Sequence, residues 1–521
     1  MDTLLSRFNE KVNSVITGFD RIVFKGIIRP IMYPLGMESF LASRKVKNKD
    51  FKDYVMAQSK MIVESAKKLA LEQCGKDVTY IPSLNTRKEE LAHKRQMETG
   101  IKEGLIGVYS CVESCNTYRS KYDPTKAYPS LSFERSKCKH MYYYFANPVY
   151  GFMSARLQTW APYEVQVALN GREWLRRSLD AVGCGYSVNG NKFLHIDNYE
   201  LAQELLYSQA ATDFDSVLDG FLPSFFPVMP DVLGEHLSYY WTCWQSEVAK
   251  DYIFNDCDAL SALMDDFQLH ALITGKGGRI MKYFGAPVRK DGQPYQTMNP
   301  EIASRTENWY DGLRVRHWCD GNSVKLYNEH NVLRFETTLN NPARFKISRN
   351  SEGLFGEGPV KFMPMRKGVA DMESRFEISK KIADRFTEHM ATVKEDARLG
   401  KLLDTVGAPI ESNSKKVRAI DVFGKDKAFL QAISDPAIDI HGITNKQLQK
   451  ILEGTPWAKG MTGRRLSGRI TRHLALLRKH CLIEQLPRQR KYILTGIGCR
   501  MTTALNVSLA TSVNTLLSQA A

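Results

Sequence analysis

The chain has 521 residues, 43% hydrophobic and 25% charged. This is ordinary globular usage, and it excludes wholesale disorder, a collagen-like or purely coiled-coil rod and a disulfide scaffold. The net charge is +15, and Asp421–Arg500 alone carries 15 Lys/Arg against 6 Asp/Glu, a net of +9; an excess concentrated in one segment points to a polyanionic partner, nucleic acid first.

Ten cysteines over this length are too sparse for a stapled secreted protein, so a reduced, cytoplasmic chain is expected. Met1–Asn13 is amphipathic and lacks a charged stretch followed by an apolar run. No segment approaches the ~18 uninterrupted apolar residues of a spanning helix, so neither a signal peptide nor a membrane partner is expected.

In chain order, Leu4–Ile16 has helical spacing, and Arg21–Ile28 reads as a strand closed by Pro30 and Pro34. Asp50–Cys74 predicts a long amphipathic helix. Thr86 to Glu89 has capping-box spacing for a helix to Thr99, and Gly104–Tyr109 predicts a buried strand. Residues 163–210 predict a β-α-β-β-α unit, with Asn170-Gly171 opening the first helix, a tight turn at Asn189-Gly190 and Asp197 capping the second helix. Residues 213–290 read as mostly helical, with Tyr239–Asp251 an aromatic-rich helix. Residues 313–348 read as β-rich, Gly353–Pro364 as a loop, Gly368–Val393 as a helix and 394–419 as the best linker. The expected fold is therefore α+β and multidomain: a mixed α/β domain over 1–160, a central α+β domain over 161–400 with a β-rich region and helical insert, a linker over 401–419 and a basic domain over 420–521.

The last of these carries the most specific pattern. Lys427–Ser434, Asn445–Leu452 (capped by Thr444) and Thr462–His480 predict three helices. Cys481–Glu484 and Tyr492–Thr495 predict two strands joined by a basic tip, Pro487–Lys491. Along the third helix Leu466, Ile470, Leu474 and Leu477 recur at core-facing spacing. Three helices and a hairpin with a basic tip resemble the winged-helix family, and the closing YILTGIGCR resembles the wing strand and following helix of MarR-like members. The resemblance implies a third helix that enters a major groove, bringing Arg464, Arg465, Arg469, Arg472, Arg478 and Lys479, and a wing that contacts backbone or minor groove, with Arg488, Arg490 and Lys491 at its basic tip.

In the β-rich centre, strands over 314–319, 323–327 and 332–339 are joined at Asp320–Asn322 and Asn328–Asn331. Period-two alternation puts Lys325 and Tyr327 on one face with Ser323, and Arg334 and Glu336 on one face with Thr338. The pattern S-x-K-x-Y-N, a turn, then L-R-F-E resembles a strand pair of non-HUH rolling-circle replication initiators and relaxases. That resemblance implies a catalytic group of Glu336, Lys325, Tyr327 and Arg334, with Glu336 on a divalent metal and Lys325 facing phosphate. The alternative is a cross-strand Lys325–Glu336 ion pair in a plain hairpin. Glu247 and Asp251, on one face of the expected helix, could join Glu336 around Mg²⁺ or Mn²⁺. Cys111, Cys115, Cys138 and His140 offer metal-ligand chemistry, but Cys-x-His is tight for the usual structural sites, so zinc is not expected. Thr274–Arg279 is Gly-rich without P-loop spacing.

Taken as a whole, the chain resembles uncharacterised bacterial open reading frames of mobile-element character, through GFDRIVFKG, LNGREWL, YYWTCWQSE and MRKGVAD. The expectation is a nucleic-acid-binding protein of mobile-element or plasmid type, with metal-dependent strand cleavage and rejoining as its enzymatic form. A DNA- or RNA-binding regulator or ribonucleoprotein component without catalysis is the alternative. DNA is the first expected partner and RNA the second, and a homodimer is among the expected assemblies.

Overall fold

A computed structural model describes residues 2–82, 87–122, 124, 129–285, 301–353, 356–393, 407–412, 415–435, 442–486 and 490–511. The fold is α+β and multidomain, and the chain forms two compact units. No helix among the described residues is long and apolar enough to cross a membrane.

One unit comprises Thr17–Val248 with Arg366–Phe376. Its sheet runs antiparallel through the strands Val12–Ile27 (from Thr17), Val165–Asn170, Gly151–Gln158, Ser130–Asn147 and Gly104–Lys121, with Thr79–Tyr80 parallel at the edge. One face carries Phe24, Met141, Tyr143, Leu157 and Val167 into a large core with the expected helix Phe51–Cys74. The other face is largely polar, with a small cluster of Ile106, Tyr109 and Tyr144 under the helix Lys88–Thr99. The expected boundary at 160 separates nothing here: Gly151–Gln158 and Val165–Asn170 on either side of it pair directly, Leu157 with Val165.

The other unit comprises Met1–Ile16, Ala249–Met365 and Glu377–Ala521. Four strands, Ile302–Trp309, Gly312–Cys319, Asn322–Glu329 and Val332–Leu339, form an antiparallel meander flanked by the strand Tyr240–Phe254. The predicted turn at Asp320-Gly321 has positive φ at both residues, 59° and 79°, the twist that suits a tight hairpin. Val315, Leu326 and Phe335 pack one face of the meander against Phe267 and Phe386 from helices Cys257–Thr274 and Met372–Met390.

Residues from 420 onward build a separate core. Helices Lys427–Ile433, Asn445–Leu452 and Gly463–Lys479, a ladder of Ile483–Gln485 with Tyr492–Leu494, and helix Gly496–Ala510 bury Phe429, Leu448, Leu466, Ile470, Leu474, Leu477 and Met501. Thr444 and Gln447 complete the capping box of the second helix.

Several expected elements differ. Leu4–Ile16 is a five-residue helix, Thr3–Arg7, capped by Asp2, and then the strand Val12–Ile27, whose Val12, Val15, Ile16 and Thr17 are β-branched. The stretch expected as the helix Tyr239–Asp251 falls on the strand Tyr240–Phe254 instead: Trp241 and Cys243 are buried while Trp244 is exposed, and Val248–Phe254 is buried throughout. Gly356–Pro364 pairs with Lys346–Gly353 instead of forming a loop. Asn198, not Asp197, caps Tyr199–Ala210. In the expected linker, Ile410–Ser412 pairs with Lys415–Val417, while 394–406 lies outside the described residues. Thr86 also lies outside them.

Candidate functional site

The basic C-terminal segment divides its helix Gly463–Lys479 cleanly. Leu466, Ile470, His473, Leu474 and Leu477 face the core, and Arg464, Arg465, Arg472, Arg478 and Lys479 are exposed on the opposite side. Arg478 donates to Gln485 of the ladder at 3.0 Å. Arg469 lies at the margin, its guanidinium 4.5 Å from the Trp457 ring centroid, so part of its role is packing. The helix is anchored from beneath. Asp426 is buried, accepts two bonds from Arg418 at 2.7 and 2.8 Å, and lies 3.2 Å from His473 Nε2. Burial raises the Asp426 carboxyl, but Arg418 and His473 outweigh it and hold the group well below the usual carboxylate range. At the ladder's tip, Arg490 is exposed and Lys491 Nζ sits 5.7 Å from the Phe362 ring centroid; Arg488 lies outside the described residues.

The central strands bring together the cation, phenol and carboxylate expected of them. Lys325 opposes Glu336, and Tyr327 opposes Arg334. Lys325 Nζ donates to Glu336 Oε1, and the Tyr327 hydroxyl donates to Oε2 at 2.7 Å. Arg334 forks onto Asp251, Nε to Oδ1 at 2.6 Å and Nη2 to Oδ2 at 2.8 Å. Lys325 is 7% exposed, Tyr327 3%, Arg334 1%, Glu336 5% and Asp251 0%, so a nucleic-acid strand has no path to these groups in this conformation. Burial raises the Glu336 carboxyl, yet Lys325, Arg334 and the Tyr327 hydroxyl together hold it below its ordinary value. Both oxygens of each carboxylate are taken by protein donors, which leaves a neutralised structural cluster and not a metal cradle.

Glu247, Asp251 and Glu336 do not form a group able to share an ion. The one set of three or more His, Cys, Asp or Glu side chains close enough to do so, among the described residues, is Cys115, Cys138 and His140. These residues lie on two neighbouring strands. Residues i and i+2 of a strand face the same way, so Cys138 and His140 project together, and Cys115 joins them from the neighbouring strand. Cys111, cross-strand partner of His140, is not in the set. A hydrogen bond from Cys138 pulls the Cys115 thiol low against burial, and Cys138 moves the other way. Nearby, a cavity of about 540 Å³ is lined by Arg21, Lys88, His93, Tyr142, Arg156 and Gln166 among others. The alternation of Cys138 and His140 was the sequence signal for this grouping.

None of the protein-family models, curated proteins or solved structures compared with the chain matches it.

Proposed function

We propose that the chain is a nucleic-acid-binding protein whose residues from 420 onward dock on duplex DNA as a winged helix, with helix Gly463–Lys479 in the major groove and the Arg490 tip at the backbone. One observation carries this reading: a row of four arginines and a lysine faces solvent on a helix whose other side is fully committed to its own core. Guanidinium groups in that position suit phosphate oxygens and guanine edges. The isolated bridge between Ile443 and Tyr492 supports it further, because it ties the ladder to the segment before the second helix and fixes the tip relative to the arginine face. A mobile-element or plasmid setting and a cytoplasmic location rest on the sequence resemblances and composition alone. No strand cleavage is assigned to Lys325, Tyr327, Arg334 and Glu336, whose charges are spent on one another.

The test is a gel-shift titration of the full chain on duplex DNA, single-stranded DNA and duplex RNA at two salt concentrations. Duplex DNA should bind tightest. Arg465→Ala with Arg472→Ala should weaken binding and flatten the log–log salt dependence by about 0.9 per lost phosphate contact. Unchanged affinity and slope would overturn the assignment, and a preference for RNA would move the protein to the second partner class.

A further inference from the structure

We propose that Cys115, Cys138 and His140 form a zinc site with three protein ligands, loaded when the Arg156 guanidinium gives up its hold on His140.

The site is built by strand geometry. Glu113 opposes Cys138, Cys115 opposes Ser136 and Cys111 opposes His140 on two neighbouring antiparallel strands, so all six side chains share one face of the sheet. The ligand atoms of Cys115, Cys138 and His140 all lie within 4.8 Å of one another. Bond lengths of about 2.3 Å to sulfur and about 2.0 Å to nitrogen give tetrahedral edges of about 3.5–3.8 Å, which small side-chain rotations reach from here. The donors are two sulfurs and an imidazole, all buried. That set is too soft for Mg²⁺ or Ca²⁺ and suits Zn²⁺.

The hydrogen-bond partners of His140 suit this use. A guanidinium only donates, so the 3.1 Å contact from Arg156 Nη2 requires a lone pair on His140 Nε2. The proton then sits on Nδ1, which is 3.2 Å from the Cys138 carbonyl oxygen and can donate to it. A neutral imidazole with one nitrogen presenting its lone pair and the other bonded to a backbone carbonyl is the form a metal takes up. Arg156 thus holds the lone pair that a metal on Nε2 would take. It also has somewhere to go: its Nη1 already donates to Gln166 at 3.1 Å, its Nε is 3.8 Å from Glu113, and it lines the neighbouring cavity. Loading forms two Zn–S bonds and one Zn–N bond with both sulfurs as thiolates, the proton shared between Cys115 and Cys138 and any other thiol proton passing to solvent, so the dication is balanced by two thiolates and Arg156 turns to Glu113. Cys111 stays outside the set, and three protein ligands are the number found where a fourth position is kept for water or a substrate.

The experiment uses the full chain, reduced, with its metal content measured as purified and again after chelation and titration with Zn²⁺ or Co²⁺ alone. One zinc per chain is expected, and the cobalt form should show thiolate-to-metal charge transfer with the intense visible bands of a four-coordinate ion. Cys115→Ser and Cys138→Ser should abolish both signals, Cys111→Ser should leave them, and Arg156→Met should tighten zinc binding. The wild-type cobalt spectrum does not depend on any variant folding, and circular dichroism checks each variant. Three results would each overturn the site: no zinc taken up by the reduced chain, a cobalt spectrum without thiolate charge transfer, or equal loss in Cys111→Ser and Cys138→Ser.

Discussion

The Lys325–Glu336 strand pair and the helix Gly463–Lys479 use the same residue types to opposite ends. On the strands every cation has an acid in register or one strand away, and the whole group lies out of solvent. On the helix the acids are missing, and the cations stand in water with a hydrophobic core behind them. Charge in the sequence therefore says little until the partner is known. Balanced and buried, it specifies how strands pair; unbalanced and exposed, it is the kind of charge that a polyanion would meet on the proposed reading.

The sharpest way to break this contrast is to unbalance the strands. Arg334→Met leaves Asp251 buried with its fork removed, and should cost about 3–5 kcal/mol, read as a lowered urea midpoint by tryptophan fluorescence. Replacing both partners, Arg334→Met with Asp251→Leu, should recover most of that loss, since it removes the buried charge along with its partner. If the single variant is as stable as wild type, the cluster is not the structural device described here.

Acid should act next most strongly, again on the same unit. His317 is fully buried beside Phe386 and Tyr283, with Nδ1 2.8 Å from the Ser304 hydroxyl, and burial lowers its pKa to about 4. A depressed histidine binds its proton more readily unfolded than folded. Its contribution is therefore complete above its ordinary value near 6.5 and lost as pH falls toward 4, worth about 3 kcal/mol across that window. His317→Gln should flatten the stability profile between those limits; an unchanged slope would place the titration elsewhere.

Glu336→Gln comes third. In an exposed hairpin the pair would be worth under about 1 kcal/mol. Buried, it leaves Lys325 with a neutral partner and should cost about 1.5–3 kcal/mol, the value of a hydrogen bond to a charged group. Nucleic-acid binding should be untouched, because the group is remote in function from the arginine face. Binding lost without any change in melting would reinstate a direct role for this carboxylate.

How far the sequence carried this comparison depends on the range of the contacts involved. The C-terminal helices were legible because their signals are local: leucine and isoleucine at helical spacing, and a cap within three residues of its partner. The meander was legible for the same reason, since Asp320-Gly321 turns the chain and fixes Lys325 opposite Glu336. The Tyr240–Phe254 strand was not. Its aromatic content obscured a period-two pattern, and its charges are explained only by distant partners. Lys250 meets Asp2 and Asp384, both at 2.6 Å, while Asp251 beside it meets Arg334. The cysteine–histidine grouping is different: Cys-x-His is tight for the usual structural sites, and only the strand register, Glu113 opposite Cys138, sets Cys115 beside the other two.

The smallest expected effect is the one that sharpens the contrast most. Arg465→Ala and Arg472→Ala remove exposed side chains for which no ion pair is formed among the described residues, so each should change stability by no more than about 0.5 kcal/mol. Arg469→Ala should cost more, because it also strips a cation from the face of Trp457, next to Phe429 and His473 in the same core. Melting curves of the three variants thus rank the arginines by structural use before any nucleic acid is added. Binding should rank them the other way: Arg465 and Arg472, silent in the melt, should carry the salt-dependent part of the affinity, while Arg469 divides its effect between the two. If Arg472→Ala destabilises as much as Arg469→Ala and leaves binding alone, the solvent-facing row is part of the fold, and the difference between the two regions disappears.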